Sequence, residues 1–155
     1  MKIVTVQSNE QLEMIRNLFR EYEQFLQVDL CFQGFEAELA GLPGRYAPPE
    51  GALLMAMVDG AAAGCVAMRK LESGVCEMKR LYVRPLYQGL GIGRSLAITV
   101  IEKAKIAGYD TMRLDTLDKL KTAIKLYVDI GFKECIPYYK NPLPGVVYWE
   151  LDLMV

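Results

Sequence analysis

The sequence of 155 residues predicts one α/β (α+β) domain, residues 1–155, with a mixed, mostly antiparallel central sheet flanked by helices. Hydrophobic residues make up 52% of the chain and charged residues 24%, as in a globular domain with a core. Three strand-like segments joined by tight turns occupy residues 53–83 and predict an antiparallel meander. A strand, a helix and a further strand follow up to residue 116 and predict one parallel β-α-β crossover.

The N-terminal third predicts a strand, two helices and a loop. Residues 2–6 alternate in the manner of a strand. Apolar residues recur every three or four positions over residues 12–26, which predicts an amphipathic helix of several turns. Residues 35–39 predict a second, short helix, and residues 41–51 are rich in turn formers and predict an ordered loop.

The meander predicted for the middle of the chain consists of residues 53–58, 62–70 and 75–83. Asp59-Gly60 is the strongest short signal for a hairpin turn and separates the first two strands. The most hydrophobic stretch of the chain is therefore predicted to form two strands and not a membrane span.

The crossover is predicted from the segment after the meander. A glycine-rich loop at residues 88–93 precedes a helix over 94–107 and a strand over 111–116. Because strand–helix–strand connections are right-handed and join parallel strands, the sheet must be mixed.

The C-terminal part predicts a last helix over 119–130 and two strands over 132–138 and 146–153. A turn rich in proline at residues 141–145 joins these strands. Edge strands at this end of the sheet would offer a surface for a homodimer.

The composition excludes several classes of function. Lys and Arg number 18 and Asp and Glu 19, for a net charge of −1 with no separate basic block, so nucleic-acid binding is not expected. The chain has no histidine, which excludes Ser-His-Asp triads, HExxH zinc sites and imidazole acid–base catalysis. Four cysteines without a CxxC pair make a metal site improbable. Proton transfer must use a carboxylate, Tyr, Lys, Cys or water.

The start of the chain, Met1–Val4, runs directly into a strand and lacks the pattern of a signal peptide. The cysteines are predicted to be free thiols in a reducing compartment. A cytoplasmic protein without membrane association is therefore expected.

The sharpest motif is the glycine loop between a strand and a helix. Gly89, Gly91 and Gly93 alternate, which lets backbone N–H groups converge at the positive end of the helix. Such a site suits a phosphate or pyrophosphate, and Arg84 and Arg94 could supply further cations. The alternative is a turn that only lets helix and sheet pack closely.

Two other phosphate-binding patterns fit this loop poorly. The P-loop requires a Lys-Ser or Lys-Thr pair, which does not follow at the required spacing. The dinucleotide pattern G-x-G-x-x-G fails at its last glycine, and the preceding meander does not suit that fold. Asp115, at the end of the next strand, could imitate its ribose-binding acid, so a nucleotide-binding domain remains a minor alternative.

Residues Leu81 to Gly93, LYVRPLYQGLGIG, closely resemble the acetyl-CoA-binding segment of the GNAT N-acetyltransferases, with the core pattern Q/R-x-x-G-x-G/A. Gln88, Gly91 and Gly93 fill that pattern. Residues 123–132, AIKLYVDIGF, resemble the A-x-x-L-Y-x-x-x-G-F stretch of the same family. Two motifs in the right order, separated by one helix and one strand, are more specific than either alone. The resemblance implies a GNAT-type sheet with the parallel crossover at the cofactor site.

The resemblance implies an acetyl-CoA-dependent N-acetyltransferase without a metal. The main-chain groups of Leu81, Tyr82 and Val83 are expected to bind the pantetheine and the thioester oxygen. The pyrophosphate is expected on the N–H groups of the loop and the first helical turn, which are Gln88, Gly89, Leu90, Gly91, Ile92, Gly93, Arg94 and Ser95.

The resemblance also implies catalytic residues. Tyr127 occupies the position of the family's general acid, where a phenol could protonate the departing thiolate; a tyrosine of the core is the alternative. Glu77 lies six residues before Val83, the spacing of a general-base glutamate in part of the family. Water could serve as the base instead, and Glu77 would then be a surface residue paired with Lys79 or Arg80.

Strand alternation places Glu77 on the same face as Leu81 and Val83, with Arg80 and Tyr82 on the other, unless a bulge intervenes. Asp115 and Thr116 end the following strand beside the cleft that the family's fold implies. There they could touch the pantetheine or the substrate.

The acceptor is predicted as a primary amine of a small molecule, because the chain has neither an acidic excess for cationic peptides nor a basic surface. Arg45 could hold a carboxylate of the acceptor. Residues from the N-terminal helices and late strands that could line its pocket are Tyr22, Phe25, Phe32, Phe35, Tyr46, Tyr138 and Tyr139. The alternatives are an amine of a peptide or protein, and a non-catalytic module that binds acyl-CoA.

Overall fold

A computed structural model describes residues 1–154, and Val155, the last residue of the predicted domain, lies outside them. Within the described residues the strands are β1 (Lys2–Thr5), β2 (Ala52–Val58), β3 (Ala61–Glu72), β4 (Val75–Val83), β5 (Thr111–Leu117), β6 (Lys133–Cys135) and β7 (Val146–Asp152). The α-helices are α1 (Asn9–Leu26), α2 (Phe35–Ala40), α3 (Ile92–Ile106) and α4 (Lys121–Ile130).

All strands of residues 1–154 form one sheet in the order β1-β2-β3-β4-β5-β7-β6. Its described pairs are antiparallel except β4 and β5, which are parallel and connected through α3. The predicted fold class is thus confirmed. The edges are β1 and β6, and a homodimer through the β6 edge stays a prediction.

Several element boundaries differ from those predicted by one to three residues. The strand expected over residues 132–138 ends at Cys135, shortly before Pro137, which has no N–H to donate to a ladder. The last helix starts at Lys121 and not at residue 119.

Helices cover both faces of the sheet. On one face α1 packs through Ile15, Leu18 and Phe19, which are fully buried. A capping box fixes the start of α1, since Ser8 Oγ accepts from Gln11 N at 3.1 Å and Gln11 Oε1 accepts from Ser8 N at 3.1 Å. The other face is covered by α3 and α4. None of the helices in residues 1–154 combines the length and apolar character that a membrane span requires.

A β-bulge interrupts β4 where it pairs with β3. Tyr82 lies opposite Cys65 but Lys79 lies opposite Ala67, so β4 carries one extra residue between these pairs. Arg80 adopts a left-handed backbone conformation there, with φ of 62°.

The bulge changes which side chains share a face of the sheet. Glu77, Arg80 and Tyr82 face α1 and α2, whereas Leu81 and Val83 pack towards α3. The prediction that Glu77 shares a face with Leu81 and Val83 is wrong, because the extra residue reverses the alternation between them. Polar groups of both halves of β4 therefore lie on the face of the first two helices.

Candidate active site

The parallel strands β4 and β5 diverge after a short paired segment. Their pairing runs from Val75 with Thr111 to Glu77 with Arg113. Beyond it a gap opens that holds a cavity of about 530 Å³, lined by both strands. Because no ladder fills this gap, main-chain groups of the second half of β4 are left for a ligand to bind.

The glycine loop closes one end of this cavity. Gly89 and Gly91 have φ values of 81° and 80°, which glycine adopts without strain, and Gly91 is the N-cap of α3. Within residues 1–154, the N–H groups from Gly89 to Arg94 have no backbone acceptor. A convergent set of free donors at a helix N-terminus fits a phosphate group.

The side chains of Gln88 and Arg94 play different parts in this loop. Gln88 Nε2 donates to the carbonyl oxygen of Val83 at 3.1 Å, which ties the loop to the end of β4. Arg94 lines the cavity, is half exposed, and lies 3.5 Å from Asp129. Arg94 is thus positioned to meet an anionic ligand.

Arg84 does not serve the loop in the way the sequence predicted. Its guanidinium donates to both carboxylate oxygens of Glu21 on α1, at 2.9 and 2.8 Å, and to the carbonyl of Ala62 at 2.9 Å. It is not among the residues that line the cavity. The prediction that Arg84 supplies a cation to the ligand is wrong, because Glu21 of α1 and Ala62 of β3 accept the hydrogen bonds of its guanidinium.

Most residues predicted for the cofactor do line the cavity: Leu81, Tyr82, Val83, Gln88, Gly89, Gly91, Ile92, Gly93 and Arg94. Leu90 and Ser95 lie outside the lining. The Leu90 side chain points to solvent, and the Ser95 N–H donates to Gly91 O at 3.1 Å as the first hydrogen bond of α3. Binding of the cofactor by each of these residues stays a prediction.

Tyr127 projects from α4 into the wall of the cavity. Its ring is buried and contacts Phe132 edge to face at 5.6 Å. Its hydroxyl has no hydrogen-bond partner within residues 1–154. Burial raises the pKa of Tyr127, with smaller contributions from Tyr22 and Asp115, so the phenol holds its proton at neutral pH. It can therefore act as a proton donor, which is the role predicted for it.

Glu77 lies outside the cavity lining. It is 1% exposed, so it is not the surface glutamate of the alternative interpretation. Its Oε1 accepts from Arg69 Nε at 2.9 Å and its Oε2 accepts from Tyr138 Oη at 2.7 Å. Both oxygens are engaged by the fold, and its predicted role as base stays a prediction.

Asp115 is the carboxylate that faces the cavity, from the end of β5. Its Oδ2 accepts hydrogen bonds from Tyr139 Oη and from Asn141 Nδ2, the latter at 2.9 Å. The loop between β6 and β7 thus orients this carboxylate. The sequence placed Asp115 beside the cleft but gave no reason to prefer it to Glu77 as a base.

The cavity extends past the gap into a chamber on the α1 side, called here the acceptor chamber. Tyr22 and Phe25 line it, with ring centroids 6.1 and 5.9 Å from that of Tyr82. Arg45 lies elsewhere and donates to Lys70 O at 2.7 Å, so it is not the predicted carboxylate ligand of this chamber.

The other aromatic residues predicted for the acceptor pocket divide into two groups. Phe35 and Tyr46 are buried in the core on the face of the sheet that α1 covers. Phe32 is outside the cavity lining. Tyr138 and Tyr139 also lie outside that lining and act on the site through the carboxylates that they bind.

Lys79 is a site residue that the sequence did not single out. Its side chain is 5% exposed and lines the acceptor chamber. Its Nζ donates to Gln33 Oε1 at 3.2 Å and lies 4.0 Å from Glu77 Oε1. Burial lowers the pKa of Lys79 to about 8, which positive Arg80 favours and negative Glu77 opposes. Its partner Gln33 lies 46 positions away in the sequence, and no local pattern signals that contact.

No group of three or more His, Cys, Asp or Glu side chains within residues 1–154 is arranged to hold a metal ion.

Comparison with known proteins assigns the chain and its fold to a family. The model of the acetyltransferase (GNAT) family matches residues 12–132. An uncharacterized N-acetyltransferase of Schizosaccharomyces pombe is 44% identical over 153 residues, which cover 97% of this chain and 94% of that protein. N-acetylaspartate synthetase of Xenopus tropicalis is 32% identical over 105 residues, which cover 67% of this chain and 39% of that protein.

Solved structures share the same fold. The structure of yncA from Salmonella typhimurium with its cofactor acetyl-CoA matches with a TM-score of 0.76 at 19% identity, over 99% of this chain and 94% of that one. The family match covers both the loop after β4 and the helix that carries Tyr127. The chain belongs to the GNAT family of acetyltransferases and is an acyltransferase.

Proposed function

We propose that the protein transfers an acetyl group from acetyl-CoA to the primary amine of a small molecule. The observation that carries the proposal is a single cavity that joins the glycine loop, the gap between β4 and β5, and the acceptor chamber. Tyr127 and Asp115 both line this cavity. A proton donor and a proton acceptor thus share the space in which the two substrates must meet.

The residues around the loop fit acetyl-CoA. The free N–H groups from Gly89 to Arg94 would hold the pyrophosphate, and the main chain of residues 81–83 would hold the pantetheine. Acetyl-CoA supplies the acyl group as a thioester. The fold shared with yncA, whose structure contains its cofactor acetyl-CoA, supports this assignment.

The reaction requires two proton transfers, and the cavity offers a side chain for each. The amine nitrogen forms a bond to the acyl carbon and gives up a proton, for which Asp115 is the carboxylate within reach of the cavity. The bond from carbon to sulfur breaks, and the departing thiolate takes the proton of the Tyr127 hydroxyl. Solvent then returns a proton to Tyr127 and removes one from Asp115. Glu77 could take part only through a relay, because Arg69 and Tyr138 occupy its oxygens.

The shape of the acceptor chamber supports a small acceptor. Its lining comes from α1, from Leu30 and Gln33, and from Asn141, Leu143 and Val146, and leaves room for a small acceptor. One relative, N-acetylaspartate synthetase, is named for a small-molecule product. An amine of a peptide or protein is the second choice of acceptor.

A reducing, cytoplasmic location is part of the proposal. All four cysteines are free thiols, and Cys65 and Cys76 are fully buried. Free thiols persist in a compartment that keeps them reduced.

The experiment that tests the proposal is thermal unfolding of the purified protein with acetyl-CoA, CoA, NAD or ATP. A ligand at about 100 times its Kd adds roughly 2.7 kcal/mol to stability, which raises Tm by several degrees for a chain of this size. We expect the rise with acetyl-CoA and CoA. A rise with NAD or ATP in place of CoA would contradict the proposal.

Turnover is then measured by mass spectrometry of amines incubated with the protein and acetyl-CoA. We expect a mass gain of one acetyl group on small primary amines. Acetylation confined to peptides or proteins would favour the second choice of acceptor.

A further inference from the structure

We propose that the acceptor amine also carries a carboxylate, and that Lys79 binds this carboxylate and so determines specificity. The inference rests on the proposed function, which it deepens by naming the class of acceptor. The evidence for the inference is the position of Lys79 in the wall of the acceptor chamber and the charged groups around its ammonium.

Lys79 has donors that the fold does not use. Within residues 1–154, its Nζ makes one hydrogen bond, to Gln33 Oε1 at 3.2 Å. An ammonium group has three donors. The nearest carboxylate oxygen, Glu77 Oε1, is 4.0 Å away and already accepts from Arg69 Nε at 2.9 Å. A buried ammonium with this little compensation is costly unless a ligand supplies an acceptor.

Arg80 and Lys119, two other basic residues of the cavity lining, are bound by the fold. Arg80 donates to both oxygens of Glu38, at 3.0 and 2.9 Å, and lies over the ring of Phe35. Lys119 Nζ donates to Leu26 O at 2.9 Å. These contacts distinguish Lys79, whose side chain is 5% exposed, lines the cavity, and has Glu77 as its nearest anion at 4.0 Å, beyond hydrogen-bond distance.

An opposite charge lies across the gap. Asp115 lines the cavity from β5, and Lys79 lines it from β4, so neighbouring strands bring an acidic and a basic group to the same cavity. The negative charge of Asp115 also opposes the lowering of the Lys79 pKa by burial. An acceptor with an ammonium and a carboxylate matches this pair, because Asp115 accepts from the ammonium and Lys79 donates to the carboxylate. The ammonium releases one proton to solvent before the neutral amine attacks, and Asp115 takes the second.

The single charge of Lys79 favours a carboxylate over a phosphate. A monoanion balances one ammonium, whereas a phosphate dianion would add an uncompensated charge next to Glu77 and Asp115. The rings of Tyr22 and Phe25 leave an apolar wall for the remainder of the acceptor.

The test uses matched pairs of amines that differ only in the carboxylate. The standard α-amino acids and β-alanine are compared with their decarboxylated partners, such as phenylalanine with phenethylamine and leucine with isopentylamine. We expect wild-type kcat/KM to be about 10- to 100-fold higher for the carboxylate-bearing member of each accepted pair, which is the value of a hydrogen bond to a charged group.

The variant Lys79→Met assigns this preference to the lysine. It should raise KM for the carboxylate-bearing acceptor about 10- to 100-fold while kcat and the decarboxylated partner change little, since ground-state binding is lost. Lys70→Met, on the neighbouring strand and outside the cavity, should keep the wild-type preference. Thermal unfolding verifies that both variants are folded.

Equal use of both members of the pairs, turnover of none of the carboxylate-bearing amines, or a preference that survives Lys79→Met would each overturn the inference. Failure of the proposed function looks different. In that case the protein neither binds acetyl-CoA nor acetylates amines of either kind. Acetylation of carboxylate-free amines alone would retain the proposed function and reject the role of Lys79.

Discussion

Tyr138 Oη donates a 2.7 Å hydrogen bond to Glu77 Oε2 and so joins the loop after β6 to the middle of β4. Since Arg69 occupies Oε1, the fold engages both oxygens of Glu77. The next residue, Tyr139, donates to Asp115, whose carboxylate lines the cavity. Two adjacent tyrosines thus hold two carboxylates in different environments, and only the second is open to a substrate.

This arrangement predicts different results for two isosteric substitutions. Asp115→Asn should lower kcat/KM roughly 100-fold, because the base is lost, with little change in Tm. Glu77→Gln should lower stability by about 1–3 kcal/mol, because Arg69 loses a buried charged partner, and reduce kcat much less. Steady-state kinetics and thermal unfolding measure both effects. A stable Glu77→Gln protein with the larger loss of kcat would return the role of base to Glu77.

Tyr127→Phe tests the proton donor. The hydroxyl lines the cavity and the ring is packed on Phe132, so the variant should fold normally and lose roughly 100-fold in kcat. The Kd of acetyl-CoA should not change. Tyr109→Phe is the matched control, because that hydroxyl donates to Glu50 O at 2.7 Å outside the cavity. Tyr109→Phe should lower stability by about 1 kcal/mol and leave kcat unchanged. An unchanged kcat in Tyr127→Phe would remove Tyr127 from the mechanism.

The parts of the site that local patterns encode were predicted correctly in position. The glycine loop follows a strand and caps α3, and Tyr127 lies on the last helix beside the gap. The loop and the helix depend on turn chemistry and helical spacing within a few residues, and the resemblance to the family singled out Tyr127 on that helix. The meander and the parallel pair of strands were predicted from hairpin turns and the handedness of the crossover.

The parts that depend on distant segments were not predicted. The bulge brings the Arg80 side chain to Glu38 of α2, a residue 42 positions away. Lys79, which precedes the extra residue, contacts Gln33, 46 positions away. Arg84 was expected at the ligand, but Glu21 of α1 binds it. Strand alternation cannot anticipate such long-range pairs.

The two arginines that flank the loop should behave differently when replaced. Arg94→Ala should weaken acetyl-CoA binding several-fold and leave Tm nearly unchanged, because Arg94 lines the cavity and is half exposed. Arg84→Ala should lower stability by about 1 kcal/mol, because its paired bonds to Glu21 are lost, and keep the Kd of acetyl-CoA. Calorimetric titration and thermal unfolding measure each quantity, and the reverse outcome would return Arg84 to the ligand site.

Two glycines of the loop form a second matched pair. Gly91→Ala places a side chain at φ of 80°, so it should cost about 1–2 kcal/mol although its Cβ would meet no atom within 4 Å. Gly93→Ala lies in the first turn of α3, where a Cβ would meet Val83 at an ordinary 3.7 Å. It should leave the free protein equally stable or slightly more so. Equal losses in thermal unfolding would show that backbone conformation is not what requires Gly91.

The pH dependence of acceptor binding follows from the surroundings of Lys79. Burial, Arg80 and Arg69 disfavour its charge, whereas Glu77 and Asp115 favour it, and its pKa is lowered to about 8. Above pH 8 the ammonium loses its proton and can no longer attract a carboxylate. KM for carboxylate-bearing amines should therefore rise above about pH 8, while KM for their decarboxylated partners should not.

The stability of the folded protein should increase above pH 8, where binding of a carboxylate-bearing acceptor weakens. Below pH 8 Lys79 is charged in both states, so the folded state bears the full cost of burying the ammonium. Between pH 8 and its ordinary value of 10.5, the unfolded chain binds a proton that the folded protein does not, so stability rises with pH. Lys79→Met lacks this contribution. At pH 7 Lys79→Met should be more stable than the wild type, because it does not bury an ammonium. The difference in Tm between the two proteins should therefore shrink as pH increases from 7 to about 10. A difference independent of pH would mean that Lys79 titrates as a solvated lysine, and KM should then stay constant across pH 8.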